Sequence, residues 1–316
     1  MNFFLNNMNY KCQSPVFFHV WNRIDVVKRV FKQIKKAKPS KLYLSSDGAR
    51  NTADHKKIIK IRKYIVSNVD WKCKIIKIYN KKNFGAKFAI TKNLNKTFKI
   101  EEKLIVLDHD CLVDISFFRF CDELLEYYKY SNKVKIISGN YNCKNLIKKN
   151  FSYYFGYHPV IFGWAGWRRS WKEYDIKMKK FKPIISLIWL LFFFKLNIVK
   201  AVYFYNKFKL TKNNKINTWD YQLLFSIWMN NGVLIRPVVN ISKHIGWGKQ
   251  ATHGTGADDL ADIKIGRLKF PLKHPKKISV NHKADQIEYL RIRKLYFFPN
   301  LIFLLKKLVK KIFLLN

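Results

Sequence analysis

Two aspartates separated by one residue are conspicuous in a chain that has few acids. Asp108 and Asp110 directly follow the apolar run Leu104-Ile105-Val106-Leu107, and the chain has 20 acidic residues against 62 Lys and Arg. Residues i and i+2 of an extended backbone project to the same side. Two carboxylates held together repel unless a cation lies between them. The pair therefore predicts a site for Mg²⁺ or Mn²⁺, both of which bind carboxylate oxygens.

The same residues also have a purely structural interpretation. Asp108 and Asp114 could cap the helix that follows, and Asp110 could be a turn residue. An Asp-x-Asp pair alone is a weak motif. Its position at the end of an apolar strand favours the metal site.

A third carboxylate could act as a general base. Asp220 is the only acid between Asp175 and Asp258, and it opens an apolar segment. Aromatic neighbours would raise its pKa, which would suit a base at neutral pH. The alternative is local, because Thr218 is a good N-cap and the helix dipole favours an acid in the first turn.

The elements that would position these residues alternate between strand and helix. The pattern predicts strands at Pro15–Val20, Lys41–Ser45, Cys73–Tyr79, Lys103–Leu107 and Val134–Ser138. It predicts helices at Asp25–Ala37, with Asp25 as the cap, and at Ala53–Ser67, Ala86–Phe98 and Ser116–Lys129. Strands that alternate with helices of this length indicate βαβ units, and hence an α/β fold with a mostly parallel sheet.

Polar residues follow four of the predicted strands. They are Asn22 and Arg23, Asp47 and Arg50, Asn83 and Gly85, and Asp108 and Asp110. Ligands of such sheets bind beyond the carboxyl ends of the strands, so we expect these loops to share one edge. Turn formation is the alternative, since Asp-Gly is a common turn pair. The absence of a GxGxxG motif after the first strand and of a P-loop motif argues against a dinucleotide fold and a P-loop NTPase.

The composition indicates a folded protein with a large positive charge. Hydrophobic residues make up 48% of the chain and aromatic residues 16%, which excludes a disordered basic tail. The net charge of +42 would attract polyanions. Lysine carries most of it, so codon bias explains a part. A nucleic-acid-binding protein would have clustered Arg with interleaved aromatics, whereas this charge is spread along the chain, and no nucleic-acid partner is expected.

Compartment and membrane signals point to a cytoplasmic protein. The five cysteines have no metal-binding spacing and predict reduced thiols. Met1–Tyr10 has no signal-peptide character. The apolar run Ile184–Phe194 is too short to span a bilayer and predicts a buried or interfacial helix. Leu301–Leu315 predicts a basic amphipathic helix, which would bind the anionic inner face of the plasma membrane peripherally or pack on the domain.

Several stretches resemble GT-A glycosyltransferases, specifically the bacterial nucleotide-sugar transferases related to the Golgi N-acetylglucosaminyltransferase that starts complex N-glycans. The resemblance covers about Pro15 to Gly256. The stretches are Asn22-Arg23, Ser46-Asp47-Gly48-Ala49-Arg50, Asn83-Phe84-Gly85, Leu104–Asp110, Ser116–Leu125, Phe162–Trp171, Thr218-Trp219-Asp220-Tyr221-Gln222 and Ile245–His253.

The resemblance implies a Rossmann-like GT-A fold and transfer of a sugar from a nucleoside diphosphate, with UDP favoured, using Mn²⁺ or Mg²⁺. The family's usual metal motif is Glu-Asp-Asp, and this chain has Asp-His-Asp. Asp110 would contact the metal, and His253 lies where the family often places a distant ligand. An imidazole beside oxygen ligands would favour Mn²⁺. Asp220 would be the base of an inverting reaction.

The resemblance also implies binding roles. The nucleotide sugar would contact Asn22, Arg23, Asp47, Arg50, Asn83, Gly85 and Asp108. Trp164, Arg168 and Trp219 would contact the acceptor or the sugar, although tryptophans this dense could equally form core, and Trp171 is expected there. The acceptor would be a saccharide or a lipid-linked saccharide in surface-polysaccharide synthesis.

Two further expectations concern organisation and the competing enzyme class. Residues 1–265 would form the transferase domain, with a nucleotide-binding half at 15–140 and an acceptor-binding half at 141–265. Residues 266–316 would form a basic C-terminal extension. A sugar-nucleotide pyrophosphorylase shares the fold and the metal, but it needs a Gly-rich basic loop that is not seen near Pro15.

Overall fold

The computed structural model describes residues 10–141, 143, 150–158, 161–246 and 264–290. His253 and the amphipathic helix predicted at Leu301–Leu315 lie outside these residues. Within them, none of the helices has the length and apolar character needed to cross a bilayer.

Strands and helices alternate through the first half of the chain. The strands are β1 (Val16–Val20), β2 (Lys41–Ser46), β3 (Lys74–Tyr79), β4 (Lys103–Asp108), β5 (Cys111–Val113) and β6 (Val134–Ser138). The helices are α1 (Ile24–Ala37), α2 (Thr52–Ser67), α3 (Gly85–Ile100) and α4 (Ile115–Tyr127). Each predicted element of this half is confirmed, with bounds that differ by at most two residues.

The second half adds the remaining strands and a group of helices. Its strands are β7 (Tyr153–Gly156), β8 (Trp164–Trp167), β9 (Val233–Pro237) and β10 (Ser242–His244). Its helices are α5 (Arg168–Trp171), α6 (Pro183–Phe193), α7 (Ile198–Lys212) and α8 (Asp220–Met229). Residues 282–290 are also helical.

Eight strands form one sheet in the order β3-β2-β1-β4-β8-β6-β9-β7. The strands β1 to β4 run parallel, β6 is parallel to β9, and β8 and β7 are antiparallel to their neighbours. Strands β5 and β10 form a separate antiparallel pair. The predicted α/β class with a mostly parallel sheet flanked by helices is confirmed, and the arrangement is consistent with a Rossmann-like GT-A fold.

The sheet is buried on both faces, which explains why its central strands are apolar almost throughout. One core contains the inner face of α1 with Val27, Val30 and Phe31, together with α4. The other contains α3, α7 and α8, with Trp228 completely buried. Strands covered on both sides cannot alternate between apolar and polar residues.

Two capping predictions have different outcomes. Arg23, and not Asp25, occupies the N-cap of α1 and makes no capping bond with its side chain, while Asp25 lies in the first turn. The Asp25 cap prediction was therefore wrong, because the helix begins one residue earlier than expected. Asp114 does cap α4, since its carboxylate accepts a hydrogen bond from the Ser116 backbone amide at 2.9 Å. Asp108 ends β4 instead.

Residues 264–290 pack on the second half of the sheet. Val280 forms an isolated bridge with Phe155 on β7, and Ser152 donates its backbone amide to the Lys273 carbonyl at 2.9 Å. Ala284 and Tyr289 are buried. The predicted domain boundary near residue 265 stays a prediction.

Candidate active site

The loops that follow β1, β2 and β4 lie at one edge of the sheet. In the parallel register, His19 on β1 is opposite both Ser45 on β2 and Asp108 on β4. The three strands therefore end side by side, and β3 ends in register with β2 at Tyr79. The predicted common edge of the four loops is present in the fold.

Asp110 is held by a short antiparallel ladder that the sequence pattern did not reveal. Strand β5 pairs with β10, which places His244 opposite Cys111. The His244 Nε2 atom lies 3.1 Å from Asp110 Oδ2, and His109 Nε2 lies 4.0 Å from the same oxygen. A Cβ atom on Gly246 would lie 2.5 Å from Asp110 Oδ2, so only glycine permits this close approach. The edge thus combines a carboxylate with two imidazoles.

The two aspartates of the pair have opposite electrostatic environments. Burial, followed by the negative charge of Asp110, raises the pKa of Asp108 well above its usual value. Burial alone would also raise the pKa of Asp110, but the charge of His109 and the hydrogen bond from His244 outweigh it and lower that pKa. Burial lowers the pKa of His109. Asp110 is therefore the carboxylate held in its ionised form.

These residues could supply part of a metal site. In the ranges that the structure describes, no group of three or more His, Cys, Asp and Glu side chains is placed to hold a metal ion. Asp110 and His244 offer one carboxylate oxygen and one imidazole nitrogen, with Asp108 two residues away. Mixed oxygen and imidazole donors fit Mn²⁺. Further ligands would have to come from a bound substrate or from undescribed residues such as His253.

Asp47 joins the loops after β2 and β3. Its buried carboxylate accepts hydrogen bonds from the backbone amides of Phe84 and Gly85, each at 3.0 Å to Oδ2, and from Asn80 Nδ2 at 3.1 Å. A carboxylate at the first amides of a helix is favoured by the helix dipole. Asp47 therefore holds the start of α3 against β2.

Close backbone contact completes this junction of loops. The Asn83 side chain donates to the Gly48 carbonyl at 2.9 Å. A Cβ atom on Gly48 would lie 2.4 Å from the Lys82 carbonyl carbon, so a side chain here would push the two loops apart. Gly85 begins α3 with a positive φ of 75°. Both Asn83 and Gly85 thus lie at the predicted edge.

Asn22 and Arg50 meet at a carboxylate to which the sequence pattern assigned no role. Asn22 Nδ2 and Arg50 Nε each donate to Asp54 at 2.7 Å, to Oδ1 and Oδ2 respectively. Asp54 is buried in the first turn of α2. The Arg50 guanidinium also lies over the Trp21 ring, 4.3 Å from its centroid. Asp54 therefore ties the loop after β1 to the loop after β2.

Arg23 reaches across to the other side of this edge. Its Nη1 atom donates to the Gly246 carbonyl at 2.8 Å, next to the Asp110–His244 pair. Its Nε atom is buried and has no hydrogen-bond partner among the described residues. Arg23 thus places a positive charge beside the carboxylates.

Asp220 lies at the first residue of α8. Its Oδ1 atom accepts hydrogen bonds from the Tyr221 backbone amide, at 2.8 Å, and from the Thr218 hydroxyl. The neighbouring Trp219 ring lies 6.1 Å from that of Trp164, whose backbone is opposite Val106 on β4. Since Val106 is two residues before Asp108, α8 begins near the carboxyl end of β4. Trp219, and not Thr218, is the N-cap residue of α8, while a first-turn acid and a role at the site are both compatible with this placement.

Three other predicted residues have distinct positions. Trp164 is buried against Trp171, and Trp171 lies in the core as expected. Arg168 is not brought to this edge, because Trp167 pairs with Lys103 at the start of β4. Arg168 instead donates to the carbonyls of Ile100 and Glu101 at the end of α3.

Four residues near this edge had no role assigned from sequence: His19, Asp54, His109 and His244. His19 could have been noticed as the one polar residue of the apolar strand VFFHV. Its Nδ1 atom lies 2.8 Å from Ser45 Oγ, and burial lowers its pKa to about 3. His244 ends a three-residue strand, and no local pattern connects it with Asp110.

Comparison with known proteins gives only distant likenesses. No protein-family model matches the chain, and no curated protein matches it. One similar solved structure is S. aureus TarS 1-349, with 11% identity and a TM-score of 0.35 over 51% of this chain and 49% of that one. Another is a UDP-glucose pyrophosphorylase complexed with UDP-glucose, with 10% identity and a TM-score of 0.39 over 71% of this chain and 90% of that one. The chain spans about half the length of the TarS chain, and neither likeness is close enough to indicate what this chain binds.

Proposed function

We propose that this protein is a metal-dependent glycosyltransferase that moves a sugar from a nucleoside diphosphate, with UDP as the favoured carrier, to a saccharide or lipid-linked acceptor in surface-polysaccharide synthesis. One observation carries the proposal. Asp108, Asp110 and His244 meet where the loops after β1, β2 and β4 converge, which is where ligands of such sheets bind.

The charges of this edge suit a diphosphate bound with a divalent cation. Asp110 and His244 would hold Mn²⁺ or Mg²⁺, with Asp108 beside them. When bound, the cation would offset the negative charge that develops on the departing diphosphate. Arg23, which reaches Gly246 at this point, adds a fixed positive charge. The loops around Asn22, Arg50 and Asn83 would form the wall on which the nucleoside rests.

Asp220 is proposed as the general base. Its carboxylate would accept the proton of the acceptor hydroxyl while that oxygen bonds to the anomeric carbon. The bond between the anomeric carbon and the phosphate oxygen breaks, and the nucleoside diphosphate leaves. Attack on the face opposite the leaving group inverts the anomeric centre. The position of α8 near the end of β4 supports this role.

A thermal-shift screen of nucleoside diphosphate sugars, with and without Mn²⁺, tests the proposal. A ligand at about 100 times its Kd adds about 2.7 kcal/mol of stability, which for a chain of this size raises Tm by about 4 °C. The Asp110→Asn and His244→Ala variants should lose the Mn²⁺-dependent part of the shift. His55→Ala is the control, since His55 is exposed on α2.

The products separate this proposal from the pyrophosphorylase alternative. A glycosyltransferase releases a nucleoside diphosphate from the donor. A pyrophosphorylase joins a nucleoside triphosphate and a sugar 1-phosphate into a nucleoside diphosphate sugar, and it releases pyrophosphate from the triphosphate. Pyrophosphate release would overturn the proposed reaction, and a folded sample with no metal-dependent shift for any nucleotide would overturn the site as well.

A further inference from the structure

The helical hairpin formed by α6 and α7 carries a large exposed apolar surface. Six side chains of these two helices are between 48% and 76% exposed: Ile184, Ile185, Ile188, Phe192, Ile198 and Val199. Leu196, in the connection between the helices, is 65% exposed. We call the surface made by these seven side chains the hairpin face. Contiguous apolar surface of this kind is rare on soluble proteins unless something covers it.

The hairpin is anchored to the protein by its opposite side. Leu190 of α6 and Ala201 and Phe204 of α7 are buried in the second core. Phe193 and Phe194 pack against Trp228 of α8, with centroids 5.0 and 5.4 Å away. Both helices are therefore already packed on the core of this protein, and their exposed side chains are not needed for that contact. The hairpin is already packed, and it presents a second apolar face outward.

The charge along the hairpin segment has a single sign. Residues 176–219 contain ten lysines and no acidic residue. Lys180 and Lys182 precede α6, and Lys195 lies in the connection between the two helices. All three are exposed. An apolar face bordered by lysines matches the chemistry of an anionic lipid surface, in which acyl chains lie below negatively charged headgroups.

We propose that the hairpin face docks on the surface of an anionic lipid bilayer. Its isoleucines and phenylalanine would enter the boundary between headgroups and acyl chains, and the flanking lysines would contact lipid phosphates. Eleven residues of α6 are too few to span the bilayer, so the hairpin lies in its surface. The proposal concerns the hairpin alone and stands whether or not the chain is a glycosyltransferase.

Charge argues against two other occupants. A second copy would bring an equally basic hairpin against the first, and like charges repel. The C-terminal stretch 291–316 also contains Lys and Arg but no acid. Only an anionic surface complements both the apolar and the cationic parts of the hairpin face.

Vesicle co-sedimentation of the full chain tests the proposal. We expect binding to phosphatidylcholine vesicles that contain phosphatidylglycerol, weaker binding at high salt, and much weaker binding to pure phosphatidylcholine. The triple variant Ile184→Ser/Ile188→Ser/Phe192→Ser should lower the partition coefficient by about tenfold or more. The matched control Phe88→Ser/Ile100→Ser/Tyr130→Ser removes three exposed apolar side chains elsewhere and should leave it within about twofold of wild type.

Two further variants keep the proposal falsifiable. Lys195→Glu should weaken binding to anionic vesicles only, and its single exposed substitution leaves folding intact. Leu304→Ser/Leu308→Ser/Ile312→Ser tests the predicted C-terminal helix. The proposal is overturned if the hairpin variant binds like wild type, if only the C-terminal variant loses binding, or if the wild type ignores anionic vesicles. It is equally overturned if light scattering finds that the hairpin variant changes the oligomeric state and not lipid binding.

Discussion

Asp110 receives its electrostatic environment from residues far away in the chain. His109 is its neighbour, but His244 reaches it only through the pairing of β10 with β5. Arg23 approaches from the loop after β1 by way of the Gly246 carbonyl. A carboxylate surrounded by such groups stays ionised, which a metal ligand requires.

Asp220→Asn tests the proposed base at the residue scale. Asparagine can still accept the hydrogen bond from the Tyr221 amide, so the start of α8 should remain intact, but it cannot take a proton. We expect transfer to fall by about 10²- to 10⁴-fold with nucleotide binding unchanged. Steady-state transfer and the thermal shift with nucleotide should be measured together.

The matched control for this variant is Asp175→Asn. Asp175 is the acid that precedes Asp220 in the sequence, and it accepts hydrogen bonds from the amides of Lys177 and Lys179. It has no proposed role in transfer. If Asp220→Asn transfers sugar at the wild-type rate while folded, the base lies elsewhere and the carboxylate serves only its helix.

At the scale of elements, Asp47 fastens one helix to one strand. The start of α3 has no capping bond from its own N-cap residue, Phe84, and its first amides bond to Asp47 instead. The cap thus comes from a different loop, and the loops after β2 and β3 depend on each other. The nucleotide-binding wall in the proposed function would depend on the same contact.

Asp47→Ala should therefore destabilise the fold. It leaves the Phe84 and Gly85 amides and the Asn80 side chain without their acceptor, which should lower the free energy of unfolding by about 2–4 kcal/mol. Urea unfolding at neutral pH measures the change. Asp25→Ala is the control, since that exposed carboxylate makes only a 3.8 Å contact with Arg23. Equal stability of both variants would contradict a stabilising role for Asp47.

At the scale of the whole molecule, buried charges join residues 264–290 to the sheet. Arg236 on β9 and Glu288 are both buried, with 3.1 Å between Nη2 and Oε1. Asp285 accepts the Tyr157 backbone amide at 2.9 Å. Lys200 on α7 and the neutral, buried His158 belong to the same cluster, and Cys143 and Tyr154 lie beside Glu288 and Arg236. This cluster connects three parts of the chain that are distant in sequence.

Asp285 should make stability depend on pH. Burial raises its pKa from 3.8 to about 6, so the folded protein binds the proton more tightly than the unfolded chain. Its contribution is complete below pH 3.8 and is lost as the pH rises through 6, a change on the order of 3 kcal/mol. His158 acts in the opposite sense, because burial lowers its pKa well below the usual value and acid then favours unfolding.

The comparison with Asp285→Asn isolates this contribution. Asparagine still accepts the Tyr157 amide but does not titrate. Between pH 4 and pH 7, the free energy of unfolding of the wild type should fall relative to the variant. Urea titrations of both proteins at several pH values measure the difference between their free energies of unfolding. Both proteins contain His158, so its contribution cancels in that difference. A difference that is constant across this range would contradict the raised pKa.

The local pattern of side chains sufficed for every element of the first half except β5, and for the edge at which these elements meet. Apolar side chains recur every two residues in a strand and every 3.6 residues in a helix, and both patterns are visible within a short stretch of sequence. The bounds of β1 to β4 and α1 to α4 could therefore be predicted to within two residues. Parallel βαβ units then bring the loops after their strands together. Asp108 and Asp110 stand out because they follow a buried strand in a chain that is poor in acids.

Tertiary structure alone decided which side chains meet at that edge. His244 contacts Asp110 through a ladder between strands about 130 positions apart, and Asp54 joins Asn22 to Arg50 across two loops. It also placed Arg168 at the far end of β4, although its sequence neighbours resemble a sugar-binding stretch. The physical reason is that hydrogen-bond partners depend on strand register and chain reversal, which spacing along one segment does not encode.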